Sequence, residues 1–195
     1  QSGSGERRMI LKIHLENQDE IRKLLQESGK KAEPLLKQAV NETAKQAKKR
    51  LYQETKSEYT IRRGKFSEKS LELKRATLSK SFAQIQVSGE VLSLPGAYQF
   101  RKNGKRVSAK AAVRRGGMKP IETGGLKGFI VSVKQKGQQK AHNGIFQRRS
   151  GARHPIREAQ GPSISKLTEM TFRRLEGEIG ESLQDAVWNL INKTI

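Results

Sequence analysis

The sequence predicts an α+β fold: an antiparallel, strongly basic β-sheet flanked by a long N-terminal helix and a C-terminal helix. Three observations carry this. Apolar residues recur every three or four positions in two places, from about residue 34 and again from residue 163 onward, the period of a helix with one buried face. Short β-branched and aromatic runs broken by glycine lie between them, the composition of strands and turns. Charge follows the same division. Residues 1–100 carry net +8, and residues 158–195 carry net −2. Residues 101–157 hold 16 Lys and Arg against one acid, Glu122.

Residues 9–16 alternate, with Leu11, Ile13 and Leu15 on one side and Lys12, His14 and Glu16 on the other. That is a half-buried strand. Asn17 or Asp19 can cap a short helix carrying Ile21, Leu24 and Leu25, which Gly29 ends. Glu33 and Pro34 restart a helix, proline being tolerated in the first turn. Leu36, Val40, Thr43, Ala44, Ala47 and Leu51 then mark one face of a helix of about seven turns. Lys45, Lys48, Lys49 and Arg50 fall mostly off that face and read as solvated surface. The chain leaves the helix at 59–63, and Gly64 breaks it.

A helical turn at 67–71 precedes strands at 71–77 and 82–88. Phe82, Ile85 and Val87 do not alternate cleanly. Pro95 and Gly96 read as a turn. Strands at 98–102 and 106–115 flank Asn103-Gly104, a hairpin signal. Gly116-Gly117 and Gly124-Gly125 are breaks, and 129–134 (FIVSVK) reads as a central strand. After a polar loop at 137–141, residues 144–149 pair back antiparallel. Ser163 caps the last helix, whose apolar positions are Phe172, Leu175, Ile179, Leu183, Ala186 and Leu190. Gly177 and Gly180 inside it mark a bend or the close approach of another backbone.

For domain organisation, residues 1–8 read as a tag or disordered start, with a natural start near Met9. Residues 9–195 read as one α+β domain: strand plus helices over 9–62, a basic β region over 63–162 and the C-terminal helix region over 163–195. No internal repeat is present. There is no cysteine, so neither a disulfide framework nor a thiolate metal site is available. No apolar run approaches the roughly 20 residues that span a membrane, and no membrane partner is expected.

A net charge of +21 points to a polyanionic neighbour: nucleic acid, an acidic protein face or a membrane surface. The plain alternative is a solvated basic surface. Candidates for contact with DNA or a partner are Arg101, Lys102, Lys105, Arg106, Arg114, Arg115, Arg148 and Arg149. On a strand, the last two point to opposite faces.

Catalytic chemistry has little to draw on, and no enzyme activity is expected. His14 sits on a polar strand face. His142 and His154 have no carboxylate between them, so no metal site and no cofactor is expected. The HxxR at His154 and Arg157 would need a downstream tyrosine nucleophile, and the tyrosines, Tyr52, Tyr59 and Tyr98, all lie upstream. Glu72-Leu73-Lys74 matches half of a metal-dependent nuclease motif without the preceding Asp. The glycine pairs at 116–117 and 124–125 lack phosphate-loop spacing. No nucleic-acid recognition motif stands out, which leaves salt-sensitive, sequence-independent phosphate contact.

The stretch 141–163, AHNGIFQRRSGARHPIREAQGPS, carries a more specific signal. It presents a strand, a small residue beside His142, then Gly144, Ile145, Phe146 and Arg148, then Pro155-Ile156, then Gly161-Pro162-Ser163 leading into the last helix. In this order it resembles the prophage minor tail protein Z family of long-tailed phages. The upstream layout is similar too, with a long helix ending near 59–61 and two basic strands around 71–87, so the resemblance covers most of 9–195. His154 stands where that pattern has an apolar residue. The resemblance implies a virion structural protein at the head-proximal end of the tail, acting by assembly in tail completion and head–tail joining. It implies other tail or head–tail connector proteins as partners, a homo-oligomeric ring, and a place in the virion tail after assembly in the host cytoplasm. The basic middle would then face double-stranded DNA or an acidic subunit. The residues alone also permit a second function, sequence-independent nucleic-acid binding by a packaging or ribosome-associated protein. In the resembling block, His142, Gly144, Phe146, Arg148, Pro155, Ile156, Gly161 and Pro162 read as mainly structural.

Overall fold

Strand β1 (Arg7–Ile13) shows how the first alternation is used. Leu11 and Ile13 are buried, as is Leu15 just beyond the strand, while Lys12, His14 and Glu16 are exposed. β1 pairs antiparallel with β3 (Ala83–Gly89), and β3 pairs antiparallel with β2 (Leu71–Lys74), in the order β1-β3-β2. The register sets Leu11 opposite Ile85, Ile13 opposite Ala83 and Leu71 opposite Val87. The apolar side chains thus share one face, and Lys12, Glu72, Gln84 and Gln86 share the other. A sheet with one face on a core and one on solvent needs this pattern.

The computed structural model describes residues 7–27, 31–89, 91–103, 108–123, 125–133, 142–152 and 155–194. They form an α+β arrangement of helices and antiparallel sheets that ends in a long helix. By their contacts they fall into two compact units, neither continuous in sequence. One draws on 56–66 and 90–164, the other on 6–55, 67–89 and 165–195.

The second of these units holds the three-stranded sheet, α1 (Gln18–Glu27) and most of α2 (Ala32–Glu58) and α4 (Ile164–Thr194). In α1, Ile21 and Leu25 are buried, but Leu24 is half exposed, one step too far round the helix. Pro34 sits in the first turn of α2, and Leu36, Val40, Thr43, Ala44, Ala47 and Leu51 are all buried. In α4, Phe172, Leu175, Ile179 and Leu183 are buried as expected. The stripe then continues through Val187 and Ile191, with Ala186 and Leu190 only half buried. Two ion pairs join α2 to α4, Arg50–Glu178 and Glu54–Arg174. Their ordering, 50 with 178 and 54 with 174, makes the helices antiparallel there. Asn41 of α2 reaches the segment after β2. Its amide donates to the Ala76 carbonyl at 3.1 Å, and its carbonyl accepts from the Ala76 N–H at 2.8 Å.

Two further expectations need correction in this unit. Phe82 is no member of the buried face; it precedes β3, half buried beneath the ammonium groups of Lys12 and Lys80 at 5.5 and 5.3 Å. Ala83, Ile85 and Val87 form that face with strict alternation. A Cβ on Gly177 or Gly180 would meet only open space, so neither glycine admits another backbone.

The other unit holds a larger antiparallel sheet in the order β11-β10-β9-β5-β4, with β6 paired to β5. These strands are β4 (Gln99–Asn103), β5 (Ser108–Ala112), β6 (Lys119–Pro120), β9 (Phe129–Val133), β10 (His142–Arg148) and β11 (Ile156–Glu158), and β7 (Glu122–Thr123) with β8 (Leu126–Lys127) forms a separate small hairpin. The β4–β5 pairing expected around Asn103 is present, with Asn103 opposite Ser108; Gly104 and the polar loop at 137–141 lie outside the described residues. Phe129–Val133 is central, and β10 pairs back on it. Gly116, Gly117 and Gly125 all adopt positive φ, the backbone region that favours glycine. Pro95 and Gly96 lie not in a simple turn but in a one-turn helix, α3 (Leu94–Ala97), with proline at a tolerated early position.

Candidate functional site

The sheet of β4, β5, β9, β10 and β11 has two unlike faces, fixed by its register. Ala109, Ala111, Ile145 and Gln147 alternate onto one face and are all buried. The other face carries Arg101 opposite Lys110, Phe129 opposite Phe146, Val131 opposite Gly144 and Arg148 opposite Ile156. On this second face Arg101 and Arg148 are exposed, while Lys110, Phe129, Val131, Phe146 and Ile156 are half buried. Cations therefore stand at both sides of a partly covered apolar centre.

Like charges directly opposite on paired strands repel. Arg101 and Lys110 stand in that relation with no ion pair from either among the described residues. Lys102 and His142 occupy strand positions whose side chains are outside the described set, and Lys105, Arg106 and His154 lie outside it altogether. Arg114 is committed differently. Its guanidinium pairs with Glu58 at 2.6 Å and lies over the Tyr59 ring at 5.8 Å. Arg115 is exposed, and its guanidinium reaches the Lys56 carbonyl at 3.5 Å. The segment after α2 is stitched beside them. Thr60 N–H donates to the Val113 carbonyl, and Arg115 N–H donates to the Glu58 carbonyl. Arg148 ends β10, and Arg149 follows in a bend with its N–H on the Pro155 carbonyl; both side chains are exposed.

The glycines of the 141–163 stretch have steric reasons. A Cβ on Gly144 would fall 2.6 Å from Cε2 of Phe146, two residues along on the same face. The Phe146 ring therefore lies down over Gly144, which only glycine allows. A Cβ on Gly161 would come within 3 Å of two carbons of the Tyr98 ring. Tyr98 is fully buried, and its hydroxyl donates to the Pro162 carbonyl. Burial, with Tyr59 nearby adding to it, holds the Tyr98 phenol well above the ordinary tyrosine range. Gly161 N–H donates to the Leu92 carbonyl, so the Gly-Pro step is pinned on both sides. Pro155 is exposed and Ile156 half buried on β11.

Sequence reasoning passed over Lys110, Lys127 and Phe129. Leu126, Lys127, Phe129, Val131 and Arg148 line an open groove of about 630 Å³, and Gln147 fastens its wall by donating to the Leu126 carbonyl at 2.5 Å. Two aromatic residues 17 positions apart give no periodic signal, so Phe129 and Phe146 could be matched only once the strands paired. Arg62 was also missed; it donates to the Tyr98 carbonyl at 3.1 Å and lies over Phe100 at 5.5 Å. Among the described residues, no helix is long and apolar enough to cross a membrane.

The family described as Prophage minor tail protein Z (GPZ) has a model that matches residues 18–194. No curated protein and no solved structure matches the chain.

Proposed function

The chain belongs to the prophage minor tail protein Z family, and from that premise we propose that it completes the tail at its head-proximal end and joins it to the head. It acts by assembly rather than by catalysis. The observation that carries this reading is the family match across 18–194. The matched stretch includes the block in which Gly144, Gly161 and Pro162 serve the packing of Phe146 and Tyr98. Its partners are other tail and head–tail connector proteins, with copies of itself arranged in a ring. It is made in the host cytoplasm and ends in the virion tail.

The exposed cations support a further contact with genome DNA. Arg101 and Arg148 are exposed, and Arg101 faces Lys110 without an acid between them. Such contact would be sequence-independent and would weaken with salt in proportion to the phosphates neutralised.

Deleting the gene from an inducible phage and examining the lysate by electron microscopy tests the reading. It predicts full heads and tails that remain apart, rescued by expression in trans. Normal joined particles from the deletion strain would remove the head–tail joining role.

A further inference from the structure

The outward face of the larger sheet holds a groove whose floor is apolar and whose edge is cationic. Leu126, Phe129 and Val131 line it, and Lys127 and Arg148 stand at its edge. Neither cation has an ion pair among the described residues, and no carboxylate lines the groove. A protein contact has this anatomy, an apolar centre inside a polar rim with arginine and aromatic residues enriched. A DNA backbone would meet the two cations but bury none of the apolar floor.

The chain also carries a surface of the opposite kind. Trp188, its single tryptophan, is 48 % exposed on α4. Glu181 and Asp185 precede it by seven and three residues, which places all three on one side of the helix. Both acids are exposed, and neither has a partner among the described residues. In a chain of net charge +21, two unpaired carboxylates beside an uncovered indole form an acidic, aromatic ridge.

We propose that the groove lined by Leu126, Phe129 and Val131 seats the Trp188 ridge of a second copy of this chain. The indole enters against the apolar floor, and Asp185 and Glu181 meet Arg148 and Lys127. Because the two surfaces differ, the contact is heterologous. Repeated, it closes a ring or extends a filament. This inference rests on the homo-oligomer reading above and adds the surfaces that make the contact.

The test uses the full chain and its own tryptophan. Sedimentation and Trp188 emission are followed together as concentration rises. The expected result is association accompanied by a shift of emission to shorter wavelength as the indole leaves water. Arg148→Glu and Asp185→Arg, each on an exposed residue and each checked for an unchanged circular dichroism spectrum, should each weaken self-association at least about tenfold, as loss of a rim charge pair with added repulsion implies. Mixing the two variants restores the opposite charges in trans and should recover association. Three results would overturn the proposal. If the wild-type chain stays monomeric at every concentration, the oligomer reading fails and this contact fails with it. If association is normal in both variants, the oligomer reading survives and this contact is wrong. If Arg148→Glu abolishes binding of duplex DNA and leaves association intact, the groove is a nucleic-acid surface.

Discussion

Gly161 lies against the ring of Tyr98, and the hydroxyl of that same tyrosine donates to the carbonyl of the next residue, Pro162. The tyrosine thus clamps the entry to α4 by shape and by hydrogen bond together. Any side chain at 161 would have to displace a fully buried ring. Gly161→Ala should therefore destabilise the unit that contains it by about 1–3 kcal/mol, the usual range for overpacking. Urea unfolding followed by circular dichroism measures this. Gly64→Ala, at a positive φ but with nothing within 4 Å, is the comparison for backbone strain without overpacking.

The same tyrosine makes stability depend on alkaline pH. Its phenol is raised in the folded protein, by burial first and by Tyr59 second. Above about pH 10, the ordinary tyrosine pKa, the unfolded chain releases a proton that the folded chain retains. The unfolded state then binds fewer protons, so stability falls as pH rises, by up to about 1.4 kcal/mol per pH unit for one group. Tyr98→Phe should remove this slope. It should also cost about 1 kcal/mol or more at neutral pH, because the Pro162 carbonyl loses its donor. Unfolding curves of the two proteins between pH 8 and pH 11 supply the comparison.

Gly177 and Gly180 offer the opposite sign. Both lie exposed inside α4, and a Cβ at either meets open space. Alanine at either site should stabilise the helix by about 0.5–1 kcal/mol, through propensity and a smaller unfolded-state entropy. A raised melting temperature checks this. A fall would mean that another part of the folded chain does pack against these glycines.

Asn41 substitutes for a strand by pairing with both backbone groups of Ala76. Asn41→Ala leaves a carbonyl and an N–H without their partner and should cost about 1–3 kcal/mol. Asn41→Asp keeps the acceptor and loses the donor, and should fall between the two. Thermal unfolding of the three proteins ranks them.

What could be read from the sequence was local. The alternation of Leu11, Ile13 and Leu15 and the stripe from Leu36 to Leu51 each sit within one element, and both appear as written. The stripe of α4 failed after Leu183 because two apolar sets overlap there. Ala186 with Leu190 and Val187 with Ile191 have equal spacing, and only the packing partner chooses between them. Alanine at 83 was overlooked beside the larger Phe82, although alternation from Ile85 required it. Two-residue strands such as Lys119–Pro120 have no period to find. At the candidate site, the cations were visible as composition, but their roles were not. Arg114 is tied to Glu58, 56 residues away, and Arg148 edges a groove whose other cation, Lys127, lies 21 residues away in the chain. The groove itself depends on β9 meeting β10, a long-range event with no local trace.

The proposed place of this chain in the virion is the junction of tail and head. The most direct measurement is immunogold electron microscopy of purified particles carrying an epitope on this chain, at an end tolerated in complementation. The account predicts label at the head-proximal end of the tail and nowhere else on the particle. Label confined to the distal tip or tail shaft, or unlabelled particles with the chain left in the lysate bound to nucleic acid, would contradict it.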